Sequence, residues 1–182
     1  MQAFANAAFS IPLATARAAQ YHSDMFRPMR RIKQQVSPEA CLEILKREPR
    51  GVLAVLGDDG YPYTVPLNFY YDESDDKLYF HGAKEGHKLD AITRCNKVSF
   101  CVMDKGFKKD GDWALNITSV VVFGRLAPVT DEAKTKEKVC KLGLKYNPSS
   151  AAVAEEWERA KARVLCLELT IEHITGKLVC EK

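Results

Sequence analysis

Residues 79–90, YFHGAKEGHKLD, bring two histidines, two lysines and two glycines together behind a run that reads as a strand. Packing alone requires none of them at that point. The strand ends at His81, Gly82 lets the backbone turn, and a helix starts near Glu85 or Gly86. The first N–H groups of such a helix have no partner within it and carry partial positive charge, which suits a phosphate. Lys84 and Lys88, four positions apart, share one helix face and can add full charges. Two readings stand side by side: a phosphate cradle, or a solvated helix face with ordinary polar histidines. A Walker A loop and a GxGxxG fingerprint are both absent, so neither a nucleoside triphosphate nor a Rossmann dinucleotide site is indicated. His81 and His87 are six apart across a strand-to-helix junction with no third ligand of zinc spacing, so no metal site is assigned.

The elements that must position this stretch can be read on either side of it. Ser37 followed by Pro38 and Glu39 is a helix start, and that helix should stop before Pro49. A strand over 51–56, a turn over 57–60 and a second strand over 61–70 form a hairpin. In the second strand Tyr63, Val65, Leu67 and Phe69 face one way, and Thr64, Pro66, Asn68 and Tyr70 the other. Pro62 and Pro66 cannot donate to a ladder, so this strand is an edge, carries a bulge, or leaves backbone free for a flat ligand. A turn over 72–76 leads to a strand over 77–81, and the helix behind the motif runs to about Arg94. Then come a strand at Lys97–Met103, a charged loop over 104–112 and a strand over 113–126. A helix capped by Thr130-Asp131-Glu132 runs to about Tyr146, and Asn147-Pro148-Ser149 breaks it. A further helix over 150–162, a strand over 163–171 and a last hairpin partner over 177–180 close the chain. So many hairpins predict a mainly β, α+β fold: a small antiparallel barrel with peripheral helices.

Bulk composition narrows the function. The 182 residues are 46% hydrophobic and 28% charged, which fits one globular domain, taken as 25–182. The net charge is only +3, with basic residues scattered among acidic ones, so a nucleic-acid interface is not expected. The six cysteines show no CxxC pair, and several sit in apolar runs as small buried hydrophobes, which points to a reducing, cytoplasmic setting. Residues 1–24 are alanine-rich and carry Ala14-Thr15-Ala16, an imitation of a cleavage site. No basic region precedes it, and Asn6 and Pro12 interrupt the apolar run, so the segment is expected to be a disordered extension, or Met25 to be the true start. No apolar stretch approaches membrane-spanning length.

The segments YPYTVPLNFYY, KLYFHGAKEGHKLDAI, NKVSFCVMD and GDWALNITSVVVFGRL together resemble the pyridoxamine 5′-phosphate oxidase-like flavoproteins, and within them the Nim (nitroimidazole resistance) family. The likeness runs in order over residues 31–182, and FHGAxxGHK is more specific than a lone glycine motif. It implies an FMN-binding split β-barrel and a homodimer with FMN in two clefts at the interface. It also implies that Thr64, Val65, Pro66, Leu67 and Asn68 lie against the isoalloxazine, and that His81, Gly82 and Ala83 pass beside the flavin. Lys84, His87 and Lys88 would then gather at the phosphate, Ser119 would donate a hydrogen bond, and Trp113 would cover the flavin of the partner subunit.

The activity the resemblance implies is an FMN-dependent reductase passing electrons from a nicotinamide or other donor to a small oxidised acceptor such as a nitro-aromatic compound. His81 is the polar group expected at the reactive side, able to donate a proton or orient substrate. A non-catalytic flavin carrier or redox sensor, a flavin-free dimer, and a pyridoxamine 5′-phosphate oxidase remain as alternatives. The last would need a second phosphate site, and the tail holds no Arg/His cluster to build it, its one histidine being His173.

Overall fold

The computed structural model describes residues 26–111 and 113–179. The expectations for residues 1–24 and for the end of the chain beyond 179 lie outside them. In chain order the elements are β1 (Gln35–Val36), α1 (Pro38–Arg47), β2 (Arg50–Leu56), β3 (Pro62–Asn68), β4 (Tyr70–Asp72) and β5 (Lys77–Ala83). They continue with α2 (His87–Arg94), β6 (Lys97–Met103), β7 (Ile117–Pro128), α3 (Glu132–Tyr146), α4 (Ser150–Ala160) and β8 (Val164–Val179). Side-chain caps set three helix starts: Ser37 accepts from Ala40 N–H at 3.2 Å, Asp131 from Lys134 N–H at 2.6 Å, and Ser149 from Ala152 N–H at 3.2 Å.

All strands belong to one antiparallel sheet in the order β3-β2-β6-β7-β8-β5-β4, with β1 added on β8. The two ends of that order, β3 and β4, are separated in the chain by Phe69 alone, so the sheet curls until its ends meet through one residue. This is a split β-barrel. The proline-bearing β3 lies at an edge, where missing N–H donors are tolerated. At the β3–β4 joint the Tyr146 hydroxyl, from the end of α3, accepts from the Phe69 N–H at 2.9 Å and so satisfies a donor that neither strand uses. Curvature is helped by a bulge between Phe123 and Gly124, where a Cβ on Gly124 would come 2.0 Å from the Thr170 carbonyl oxygen.

The barrel interior is filled by Leu53, Phe69, Leu78, Phe80, Phe100, Val122 and Leu169, with α1 supplying Cys41, Ile44 and Leu45. Phe100 meets Phe69 and Phe80 edge to face, each at 5.0 Å between ring centres. Outside, α3 is fastened to the β4–β5 turn by a buried pair, Lys138 to Asp72 at 2.8 Å, joined by Lys141 and Ser74. Burial alone would raise the Asp72 carboxyl, but the hydrogen bonds from Lys138, Ser74 and Lys141 outweigh it and hold the group well below the usual carboxylate range.

Three expectations need correction. No hairpin forms at Thr175-Gly176: β8 runs unbroken through both, which pair with Val121 and Val120 of β7. Gly176 is there for closeness, since a Cβ would fall 2.4 Å from the Cys41 sulfur and 2.6 Å from Val36. The strand read over 113–126 begins only at Ile117, because Asp104 Oδ1 accepts from the Thr118 and Gly106 N–H groups and ties the preceding loop back on itself. The strand read over 61–70 is two, broken at Phe69.

Candidate functional site

The motif occupies the end of β5, the following turn and the first turn of α2. Gly86, the residue before α2, has φ 121°, a conformation suited to glycine, and its carbonyl receives the Leu89 and Asp90 N–H groups at 2.8 and 3.2 Å. The N–H groups of the residues just before these remain at the helix mouth. Across that mouth the Lys88 ammonium stands over Gly82, 3.1 Å from where a Cβ would sit. Burial pushes this ammonium below its ordinary range. No carboxylate lies within ion-pair distance of it among the described residues. A half-buried cation with a cleared strand beneath it and helix N–H groups beside it is suited to an anion.

The other motif residues divide. Lys84 Nζ donates to the Ala162 carbonyl at 2.7 Å, at the far end of α4. The His87 ring stacks on Tyr63 of β3 at 4.1 Å, and its Nε2 lies 3.4 Å from Asp58, which also accepts from Arg94 at 2.6 Å. His87 thereby pins α2 to the β2–β3 hairpin. His81 and Gly82 are successive strand residues, so their Cα–Cβ directions oppose. His81 therefore faces away from Lys88, toward α3 and α4. Its rim is exposed, yet the protein crowded around the ring and, secondly, the Lys88 charge push the imidazole below its ordinary range, so it is neutral at pH 7. Among the described residues it has no hydrogen-bond partner.

Thr64, Pro66 and Ser119 share the outer surface of the sheet, with Ser119 on β7 three strands from the other two. Register carries one row across Thr64, Ala54, Ser99, Phe123 and His173, and the next across Pro66, Val52, Cys101, Val121 and Thr175. Ser119 lies opposite the exposed Met103. This face is apolar and open: Val52, Leu56, Met103 and Phe123 are 37–57% exposed. Asn68 shares it and accepts from Arg50 at 3.1 Å, whereas Val65 and Leu67 alternate onto the other face, where Leu67 packs on the core. Trp113 is 92% exposed on the loop before β7, a loop that also exposes Phe107 and Leu115. The apolar outer face was not read from the sequence. Its signal is the run GVLAVL in β2, apolar at every position although alternate positions face out. Among the described residues no cluster of three or more His, Cys, Asp or Glu could hold a metal ion, and no helix is long and apolar enough to cross a membrane.

A curled antiparallel sheet whose two ends meet at Phe69 is the architecture of a split barrel. The model of the pyridoxamine 5′-phosphate oxidase family matches residues 37–178, and the chain belongs to that family. The fold is shared with a candidate 5-nitroimidazole antibiotic resistance protein from Bacteroides thetaiotaomicron, at 20% identity and TM-score 0.66 over 79% of this chain and 86% of that one. It is also shared with an FAD-binding protein from Mesorhizobium loti, at 23% identity and TM-score 0.58 over 81% and 98%. A flavocytochrome from Azotobacter vinelandii superposes at 22% identity and TM-score 0.68 over 87% and 75%. No curated protein matches the sequence.

Proposed function

We propose that the protein is an FMN-dependent oxidoreductase that works as a homodimer in the cytoplasm, passing electrons from a nicotinamide or other donor to a small oxidised acceptor such as a nitro-aromatic compound. The observation that carries this reading is the Lys88 ammonium over Gly82 at the mouth of α2, half-buried and without a carboxylate. In this reading Lys88 and the helix N–H groups hold the phosphate, with Lys84 and His87 at its margin and Ala83 beside the flavin. Thr64, Val65, Pro66, Leu67 and Asn68 present the edge of β3 to the ring. The open apolar face is covered by a second copy, Ser119 adds a hydrogen bond at the seam, and Trp113 reaches over the partner's flavin.

Bound FMN would supply hydride and single-electron transfer. The chain's own part is to place it, exclude water from it and handle protons. His81, neutral at pH 7 and able to donate or accept, is the proton-handling residue of the proposal. A pyridoxamine phosphate substrate is disfavoured, because the tail carries no Arg/His cluster and its His173 is buried in a stack on Phe26 at 4.4 Å.

The test is an absorption spectrum of gently purified protein, anaerobically, before and after NADH and then a nitroimidazole. Flavin bands that bleach and then return support the reductase. Bands that stay unchanged favour a flavin carrier, and no bands after added FMN would overturn the proposal.

A further inference from the structure

Close-packed interiors hold few voids larger than a water molecule. Between the α3–α4 pair and the strands β5 and β8 lies a partly open pocket of about 210 Å³. An apolar cavity of ~150 Å³ is enough to take up benzene. Leu142, Val153, Trp157 and Val164 form apolar walls, and the small residues Gly143 and Ala160 leave the room between them. Most of the polar groups at its edge are engaged or muted. Asn147 Oδ1 accepts from the Ser149 N–H at 3.1 Å, Glu156 pairs with Arg159, and burial pushes the Cys140 thiol up, so it stays protonated. His81 borders the same space with an imidazole that has no partner among the described residues.

We infer that this pocket is a binding site for a compact, neutral, one- or two-ring compound carrying a single hydrogen-bonding group, with the His81 imidazole as its polar anchor. Apolar walls disfavour a charged ligand, which would lose part of its hydration there without gaining a counter-ion. A neutral imidazole offers one donor and one acceptor nitrogen, so the ligand's polar group is of either kind. The site lies on the opposite side of β5 from Gly82 and Lys88, and it goes beyond the flavin reading without depending on it.

Calorimetric titration of the full chain with indole, alongside the charged analogue indole-2-carboxylate, tests the site. Saturable one-to-one binding of indole and none of the carboxylate is expected. Ala160→Leu, which grows into the space, should abolish binding. His81→Leu should weaken it roughly tenfold, the loss of one hydrogen bond. Circular dichroism of each variant checks that it is folded. Absence of indole binding to the unaltered chain, or binding that is the same in the folded variants, would overturn the inference.

Discussion

The ammonium of Lys88 stands 3.1 Å from the point where a side chain on Gly82 would begin. Glycine at that strand position is what lets a helix lysine lie over β5. Gly82→Ala should push the ammonium aside by a few tenths of an ångström and weaken FMN binding by about 1 kcal/mol. Fluorescence titration reads the affinity and thermal melting the fold. An unchanged affinity would separate Gly82 from the phosphate site.

The Tyr146 hydroxyl holds the joint between β3 and β4 through the Phe69 N–H at 2.9 Å and also contacts the Phe69 carbonyl at 3.1 Å and that of Pro49. Tyr146→Phe leaves that N–H without a partner at the one place where the barrel's ends meet. The expected cost is about 1–3 kcal/mol, read by urea unfolding. A loss below a few tenths would mean that water replaces the hydroxyl there.

The Lys138–Asp72 pair makes stability acid-sensitive. Because the native Asp72 carboxyl titrates below its unfolded value, the unfolded chain takes up the proton first as pH falls. The stabilisation is full above about pH 4 and is lost progressively below it. Lys138→Met leaves the buried Asp72 carboxylate with Lys141 and Ser74 alone and should cost up to about 3 kcal/mol at pH 7. The difference from the unaltered protein should narrow in urea titrations at pH 3, and a pH-independent difference would contradict the assignment.

Lys145 titrates the other way. Burial, partly opposed by Glu48, lowers its ammonium to about 8, although Nζ donates to the Glu48 carbonyl at 2.7 Å. Between about pH 8 and the ordinary lysine value near ~10.4 the unfolded chain binds the extra proton, so stability from this group rises with pH. The melting temperature of the unaltered protein minus that of Lys145→Met should be flat below this window and climb through it. A flat difference throughout would remove the shift.

Local signals in the sequence specified local structure well. Ser37-Pro38-Glu39 opens α1, and YFHGAKEGHKLD is a strand, a turn and a helix start as its residues suggest, but displaced: β5 runs on through Gly82 and Ala83, Gly86 rather than Gly82 makes the turn, and Lys84 precedes α2 instead of sharing its face with Lys88. Errors arose where a distant contact decides the outcome. Thr175-Gly176 has turn chemistry, but Cys41 and Val36, far away in the chain, need that glycine for close approach. His87 belongs to the motif by spacing, yet Tyr63 and Asp58 claim its ring, and nothing near His87 in sequence announces them. Lys84, expected with His87 and Lys88 at the phosphate, is instead drawn to the Ala162 carbonyl, nearly eighty residues on in the chain.

The most direct test of the central claim compares FMN with riboflavin, which lacks the phosphate, in binding to the unaltered protein and to Lys88→Ala. The account predicts that FMN binds more tightly than riboflavin to the unaltered chain. It also predicts that Lys88→Ala weakens FMN by about 1.5–3 kcal/mol and leaves riboflavin unchanged. Equal losses for both ligands, or none for either, would contradict a phosphate site at Lys88.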